Sequence, residues 1–327
     1  MEKTAIKKLL QINCSDGGST GGIMHSIAAR VQQHGYECHM LCAPPRPGES
    51  RGDDVVCLGN PLECGVQRKL NKFTGNYGQG FPLATRQLIQ ELERFAPDIV
   101  QLHNLHHQFF DLKTLFCYLK KKQIPTVWTL HDCWPLTGHC AHYMMNGCER
   151  WKTGCGKCPD LQHYPAIHRD TTARLFAQKV AMYGDMKNLF LVAPSDWTKA
   201  QIERSFLQRH SVTVIKNGID QTAFRPRQSD FRKRYGLENA FIILGVSAFW
   251  TKEKGIDVFV QLAKSLPPPC KVVLVGGAEA DSANFPKEIL HMPAIRDAVT
   301  LAEIYTAADV FFNPTREEVL GLGVDLH

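Results

Sequence analysis

From residue 6 to residue 215, short apolar runs alternate with longer stretches of helical spacing, and that alternation leaves few folds open. Residues 6–13 read as a buried strand, followed by a glycine-rich turn, a helix over 22–34 and a second apolar segment over 36–42. The pattern continues as helix 81–95, strand 98–102, helix 112–121 and strand 125–130. After a long loop come helix 171–183, strand 189–193, helix 195–206 and strand 212–215. Strands joined through helices lie parallel, and right-handed crossovers then cover the sheet on both faces. The expectation is an α/β, doubly wound domain over residues 1–216.

The polar, proline-bearing stretch 217–230 reads as a linker. Beyond it the alternation resumes: strand 241–247, helix 255–266, strand 271–275 running into Gly276-Gly277, an apolar segment over 288–292, a helix through 301–308 and strand 309–313. A second Rossmann-like domain over 231–327 is expected, incomplete because no helix follows its last strand. A chain of 327 residues is long enough to bury two such cores.

Charge and cysteine content narrow the function classes. The net charge of +6 is spread along the chain, with no basic stripe interleaved with aromatics, so a zinc-containing nucleic-acid binder is the weakest reading. No apolar run has the form of a signal peptide or the length of a membrane span, which places the protein in the cytoplasm. Twelve cysteines there should be reduced, so a cluster of them suggests metal ligands before disulfides.

Four segments carry chemistry. Gly17-Gly18-Ser19-Thr20-Gly21-Gly22 lies between a strand and a helix, where exposed amides favour an anion such as a diphosphate; alone, it reads as a tight turn. Thr251-Lys252-Glu253-Lys254-Gly255 follows a strand and opens a helix, although a lone Lys254 would ordinarily be a solvated charge. Cys140, Cys148, Cys155 and Cys158 supply four thiols within nineteen residues, and the CxxC spacing suits a tetrahedral structural zinc. His139 or His142 could replace one of them, and Cys133 is a weaker candidate. Lys120-Lys121-Lys122 reads as complementing a helix end, and together with residues 68–73 it offers a peripheral contact with anionic lipid.

Taken together and in order, these residues resemble family 4 glycosyltransferases of the GT-B type, in particular bacterial exopolysaccharide-type members with a cysteine-rich insert, here 133–160. The resemblance rests on the glycine loop, Thr129-Leu130-His131-Asp132, the insert, Ala193-Pro194-Ser195, Asn217-Gly218-Ile219-Asp220, Lys254-Gly255, Val275-Gly276-Gly277, and Ala308-Asp309-Val310 followed by Asn313-Pro314-Thr315-Arg316-Glu317-Glu318. It implies two Rossmann-like domains facing a cleft, and transfer of a sugar from a UDP- or GDP-sugar to a saccharide or lipid-linked acceptor. Configuration is retained and no catalytic metal is used. The product would serve cell-surface polysaccharide synthesis, at the inner face of the membrane. By the same resemblance His131 contacts the transferred sugar, Glu318 engages the donor sugar, and Lys254, Lys252 and the amides of Gly21 and Gly22 face the diphosphate.

Two positions depart from the family pattern. No arginine stands in Val246-Ser247-Ala248-Phe249-Trp250, which shifts diphosphate neutralisation onto Lys254 and Lys252. Leu326 stands where a second, ribose-binding glutamate is expected, and the chain reads as truncated. The expectation is weak or absent turnover, the alternative being a noncatalytic remnant that still binds a saccharide or a partner.

Overall fold

The computed structural model describes residues 7–45, 51–278, 285–295, 297–317 and 319. The chain divides into two compact units, Met1–Asn217 and Gly218–His327. No helix or strand occupies residues 217–230.

The first unit is built on a seven-stranded sheet. Its strands are β1 (Lys8–Asn13), β2 (Glu37–Cys42), β3 (Val55–Cys57), β4 (Ile99–Leu102), β5 (Thr126–Thr129), β6 (Leu189–Ala193) and β7 (Val212–Val214). They lie in the order β3-β2-β1-β4-β5-β6-β7, every pair parallel. Leu10, Ile12, Val100, Leu102 and Trp128 are buried in the central strands, as a sheet covered on both faces requires.

The covering helices start where polar side chains can cap them. Asn60 Oδ1 accepts the Glu63 amide of α2 (Pro61–Thr74), and Asp111 Oδ1 accepts the Thr114 amide of α4 (Leu112–Lys122). Ser195 Oγ accepts the Thr198 amide of α6 (Asp196–Glu203). Lys120, Lys121 and Lys122 form the last turn of α4, and Lys120 Nζ reaches Asp185 Oδ1 at 3.2 Å. The lysine run therefore complements a helix end.

Two features differ from the sequence reading. β3 and α2 were not anticipated, because α2 inverts the usual pattern: its buried residues are Cys64 and Asn71, while Leu62, Val66, Leu70 and Phe73 are exposed. Helix α1 spans Gly18–Gln33, four residues earlier than expected. The glycines there are set by close approach. A Cβ on Gly21 would lie 2.1 Å from the Asp16 carbonyl oxygen, whereas one on Gly22 would meet nothing within 4 Å.

The second unit repeats the scheme with four parallel strands among the described residues, in the order β10-β9-β8-β11. These are β8 (Phe241–Trp250), β9 (Cys270–Ala278), β10 (Ile289–Met292) and β11 (Val310–Phe311). Strand alternation separates two cores. Ile242, Leu244, Val273 and Val275 pack with Phe231 of α7 (Phe231–Arg234) and Ile304 of α9 (Ala298–Ala307). Ile243, Val272 and Leu274 pack with Phe259 of α8 (Ile256–Ser265). Core on both sheet faces makes this unit doubly wound as well.

The glycines of α1 give a paired test. Gly21→Ala should destabilise the chain by ~1–3 kcal/mol through overpacking against backbone, while Gly22→Ala should be neutral or stabilising by up to ~1 kcal/mol through helix propensity. Urea midpoints of both variants check this.

Candidate active site

Polar side chains collect at the carboxyl edge of the first sheet. β1 and β4 are neighbours whose following segments leave in opposite directions, the position at which open parallel sheets hold ligands. Asn13 ends β1 and is fully buried. Its Oδ1 accepts the amides of Cys14 and Asn104 at 2.9 and 3.2 Å, and its Nδ2 donates to Ser15 O and Thr20 Oγ1 at 2.8 and 3.2 Å. One amide thus ties together the ends of β1 and β4 and the first turn of α1.

Helix geometry leaves the amides of residues 17–20 outside the α1 ladder, and Gly17 N already donates to Ser15 Oγ. The amides presented toward an anion are those of Gly18, Ser19 and Thr20. Gly21 and Gly22, expected in that role, lie within the helix, because Gly21 must pack on the Asp16 backbone.

His131 follows β5 at the same edge and belongs to a chain of three side chains. Gln11 Nε2 donates to Met24 O at 3.0 Å, which turns Oε1 toward His103 Nε2, 3.1 Å away. His103 Nδ1 is in turn 3.0 Å from His131 Nε2. The order of donors assigns the tautomers. His103 carries its proton on Nε2 for Gln11, so its bare Nδ1 accepts from Nε2–H of His131, and His131 is left with Nδ1 as a lone-pair acceptor. Burial holds His131 down at about 4, with Asp132 pulling it back up. Burial, then His131, holds His103 at about 3. Both rings are neutral at ordinary pH.

Asp132 is anchored differently. Its Oδ2 meets His106 Nε2 at 2.9 Å and its Oδ1 accepts the Trp134 amide at 2.9 Å, while His106 Nδ1 faces the Tyr164 hydroxyl at 3.1 Å. Burial alone would raise the carboxyl, but His106 and the Trp134 amide bring it below its ordinary range. Gln11, His103 and His106 escaped the sequence reading. The signal was the run Leu102-His103-Asn104-Leu105-His106-His107, placed directly after a strand. A cavity of about 90 Å³ at this edge is lined by Cys14, Ser15, Arg51, Arg68 and His107 among others.

In the second unit the corresponding position lies between β8 and β11. Two loops are clasped there. Arg316 donates from Nη1 and Nη2 to the two carboxylate oxygens of Asp257 at 2.9 and 2.8 Å, and its amide donates to Glu253 O at 2.9 Å. Gly255 has φ 76°, and a Cβ there would lie 2.7 Å from Pro314. Lys252 is exposed and Lys254 half-buried on the first loop, and Glu317 is buried on the second. Arg316 faces Asp257, so it does not replace the arginine missing from residues 246–250, which form the end of β8. Glu318 lies outside the described residues.

Cys140, Cys148, Cys155 and Cys158 all line one cavity of about 20 Å³, with His139 also on its wall. Burial pushes Cys140 up to about 12 and Cys155 up to about 11. His142 and Cys133 are not on that wall: His142 acts on Asp132, and Cys133 on Tyr143. Among the described residues, no three His, Cys, Asp or Glu side chains stand close enough together to hold a metal ion as they are.

The sequence profile of Glycosyltransferase Family 4 matches residues 22–223. The putative colanic acid biosynthesis glycosyl transferase WcaC of Escherichia coli K12 is 35% identical over 231 residues, which is 65% of this chain and 54% of the relative. A processive diacylglycerol alpha-glucosyltransferase of Acholeplasma laidlawii is 26% identical over 187 residues, 49% of this chain and 56% of the relative. The chain thus spans little more than half the length of these relatives. Among solved structures, sucrose-phosphate synthase of Thermosynechococcus elongatus superposes with a TM-score of 0.68 at 14% identity, covering 98% of this chain and 78% of the other. Anabaena HepE in complex with UDP-glucose superposes with a TM-score of 0.62 at 15% identity, covering 98% and 77%. Both are GT-B glycosyltransferases, and the likeness shows that fold here.

The histidine pair fixes a pH dependence. An unfolded histidine takes a proton near 6.5, the folded ones only near 4 and 3, so in between the unfolded state binds more protons. Stability contributed by the neutral rings is full above about pH 6.5 and falls as pH drops through that window toward 3, with buried His139 adding to the effect. Urea midpoints followed downward from about pH 7 should decline, and His131→Asn should make the decline shallower.

Proposed function

The chain belongs to glycosyltransferase family 4, and we propose that it transfers a sugar from a UDP- or GDP-sugar to a saccharide or lipid-linked acceptor with retention of configuration. The observation that carries this reading is the pairing of sites by topology. A neutral imidazole stands after β5, one strand from the switch point of the first sheet, and a lysine-bearing helix start stands at the switch point of the second. His131 Nδ1, an acceptor by its tautomer, suits a hydroxyl of the transferred sugar. Lys254, with Lys252, suits the diphosphate, whose charge grows as it leaves. Glu318 engages the donor sugar, an assignment that comes from the family resemblance alone.

In this mechanism the acceptor hydroxyl attacks the anomeric carbon from the face the leaving group departs. The carbon–oxygen bond to the diphosphate breaks as the new glycosidic bond forms, and the hydroxyl proton passes to the departing phosphate oxygen. Side chains therefore need only position and neutralise, which fits an imidazole that burial keeps uncharged. No metal takes part in this reading.

The first unit is assigned the acceptor and the second the donor. The functions of these relatives, colanic acid biosynthesis and glucosylation of diacylglycerol, support a role in cell-surface polysaccharide or glycolipid synthesis. The UDP-glucose bound by HepE supports a nucleotide-sugar donor. Peripheral contact with the membrane is assigned to α2. Leu62 (77% exposed), Val66, Leu70 and Phe73 (71% exposed) share its outer face, with Lys69 among them and Lys72 beside them. Among the described residues no helix is long and apolar enough to cross a membrane.

A panel of UDP- and GDP-sugars, with acceptors free and embedded in anionic vesicles, tests the reading. Transfer should occur from at least one donor, and Lys254→Ala and His131→Ala should each lower kcat/KM by ~10²-fold or more. Phe73→Glu should impair only the vesicle-borne reaction. Transfer unaffected by both site substitutions overturns the assignment, and acceptor binding without any transfer favours a noncatalytic binding protein.

A further inference from the structure

Beyond His131 and Asp132, the residues 133–160 that lead from β5 toward α5 (Thr172–Tyr183) take no part in the reaction described above, yet they are built as a core. Residues 133–160 contain only two single-turn helices, Trp134–Leu136 and Arg150–Lys152, while Trp134, Trp151 and Tyr143 are buried. A loop of this length without regular pairing needs another source of order. Of the twelve cysteines, the four that fall between residues 140 and 158 line one small cavity together.

We infer that Cys140, Cys148, Cys155 and Cys158 bind a single zinc ion as four thiolates, and that buried Lys179 balances the charge of that centre. About 20 Å³ is the room of one water-sized particle, too little for an organic ligand and enough for an ion. The backbone between these cysteines is tightly turned. Gly154, Gly156 and Lys157 all take positive φ, at 152°, 153° and 47°, which turns the Cys155–Cys158 pair into a tight knuckle. The Gly138 amide donates to Cys155 Sγ at 3.1 Å, a contact that favours thiolate over thiol. His139 stands behind the cluster: its Nδ1–H donates to Pro165 O at 3.1 Å, and its Nε2 is 3.3 Å from Cys158 Sγ. With its proton on Nδ1, its bare Nε2 accepts from the Cys158 thiol in the metal-free chain, a contact that is released when that proton leaves.

Lys179 is the second, independent observation. Its side chain is buried, with Nζ donating to Trp134 O and lying 3.4 Å from the centroid of the Trp134 ring. Burial disfavours the charged form of Lys179, and the groups within reach that favour it are Cys155, Cys140 and Asp132. Zinc with four thiolates carries two net negative charges once the four S–H protons have left for solvent, and Lys179 is close enough to interact with Cys140 and Cys155. No three of these side chains stand close enough together to hold the ion as they are, so the ion must draw the knuckle closed around itself. Four protein ligands leave no open position, making this a structural clip on the loop that begins next to Asp132.

The test uses the full chain purified under reducing conditions, with zinc measured by mass spectrometry and thiols titrated with and without a chelator. The expected result is one zinc per chain, four thiols that become reactive only when the chelator is added, and a cobalt-substituted form with tetrahedral thiolate absorption. Cys155→Ser/Cys158→Ser should lose the metal, and His142→Ala should keep it. Folded protein without zinc that takes up no cobalt, or a Cys155–Cys158 disulfide in the reduced preparation, overturns the inference. Because the thiol titration is made on the unmodified chain, a double variant that fails to fold does not decide the outcome.

Discussion

The carboxamide of Asn13 is the interaction on which the first unit's site depends. A buried amide has four hydrogen-bonding positions and is costly to leave unsatisfied. Here all four are filled, and the partners belong to the ends of β1 and β4 and to α1. Those elements diverge from the switch point of the sheet, so fixing them fixes the edge on which His103 and His131 sit. The neutral state of His131 follows from the same economy of polar groups. Gln11, buried in the middle of β1, has one end committed to Met24 O and can therefore offer only an acceptor to His103.

The second unit solves an equivalent problem with charge. Its two loops are about sixty residues apart in sequence, and Arg316 joins them through a bidentate pair with Asp257 and a backbone contact to Glu253. The pair is partly exposed, so its contribution to stability is modest. What it supplies is position: Lys254 and the segment leading to Glu318 are held side by side. Strand order gives the common logic, since 3-2-1-4 in this unit repeats the first half of the larger sheet.

The parallel architecture was legible in the sequence because strands buried on both faces leave continuous apolar runs. The helix–strand alternation follows from the same cause. Helix α2 was missed because its apolar residues face outward while Asn71 and Cys64 face in. The start of α1 was misplaced because glycines chosen for close approach to Asp16 look like loop glycines. His131 was found through its resemblance to a family motif, but the relay that fixes its tautomer was not. Residues 11, 103 and 131 meet only when β1, β4 and β5 are adjacent. The four cysteines that share a cavity were separated from Cys133 and His142 by packing, which spacing alone could not do.

Imidazole nitrogen NMR on the uniformly labelled chain tests the state of His131 most directly. The relay from Gln11 requires His131 to carry its proton on Nε2, with a bare Nδ1, and to stay neutral down to about 4. A ring that titrates near the ordinary value of 6.5, or that carries its proton on Nδ1, would contradict the relay and with it the proposed contact to the sugar.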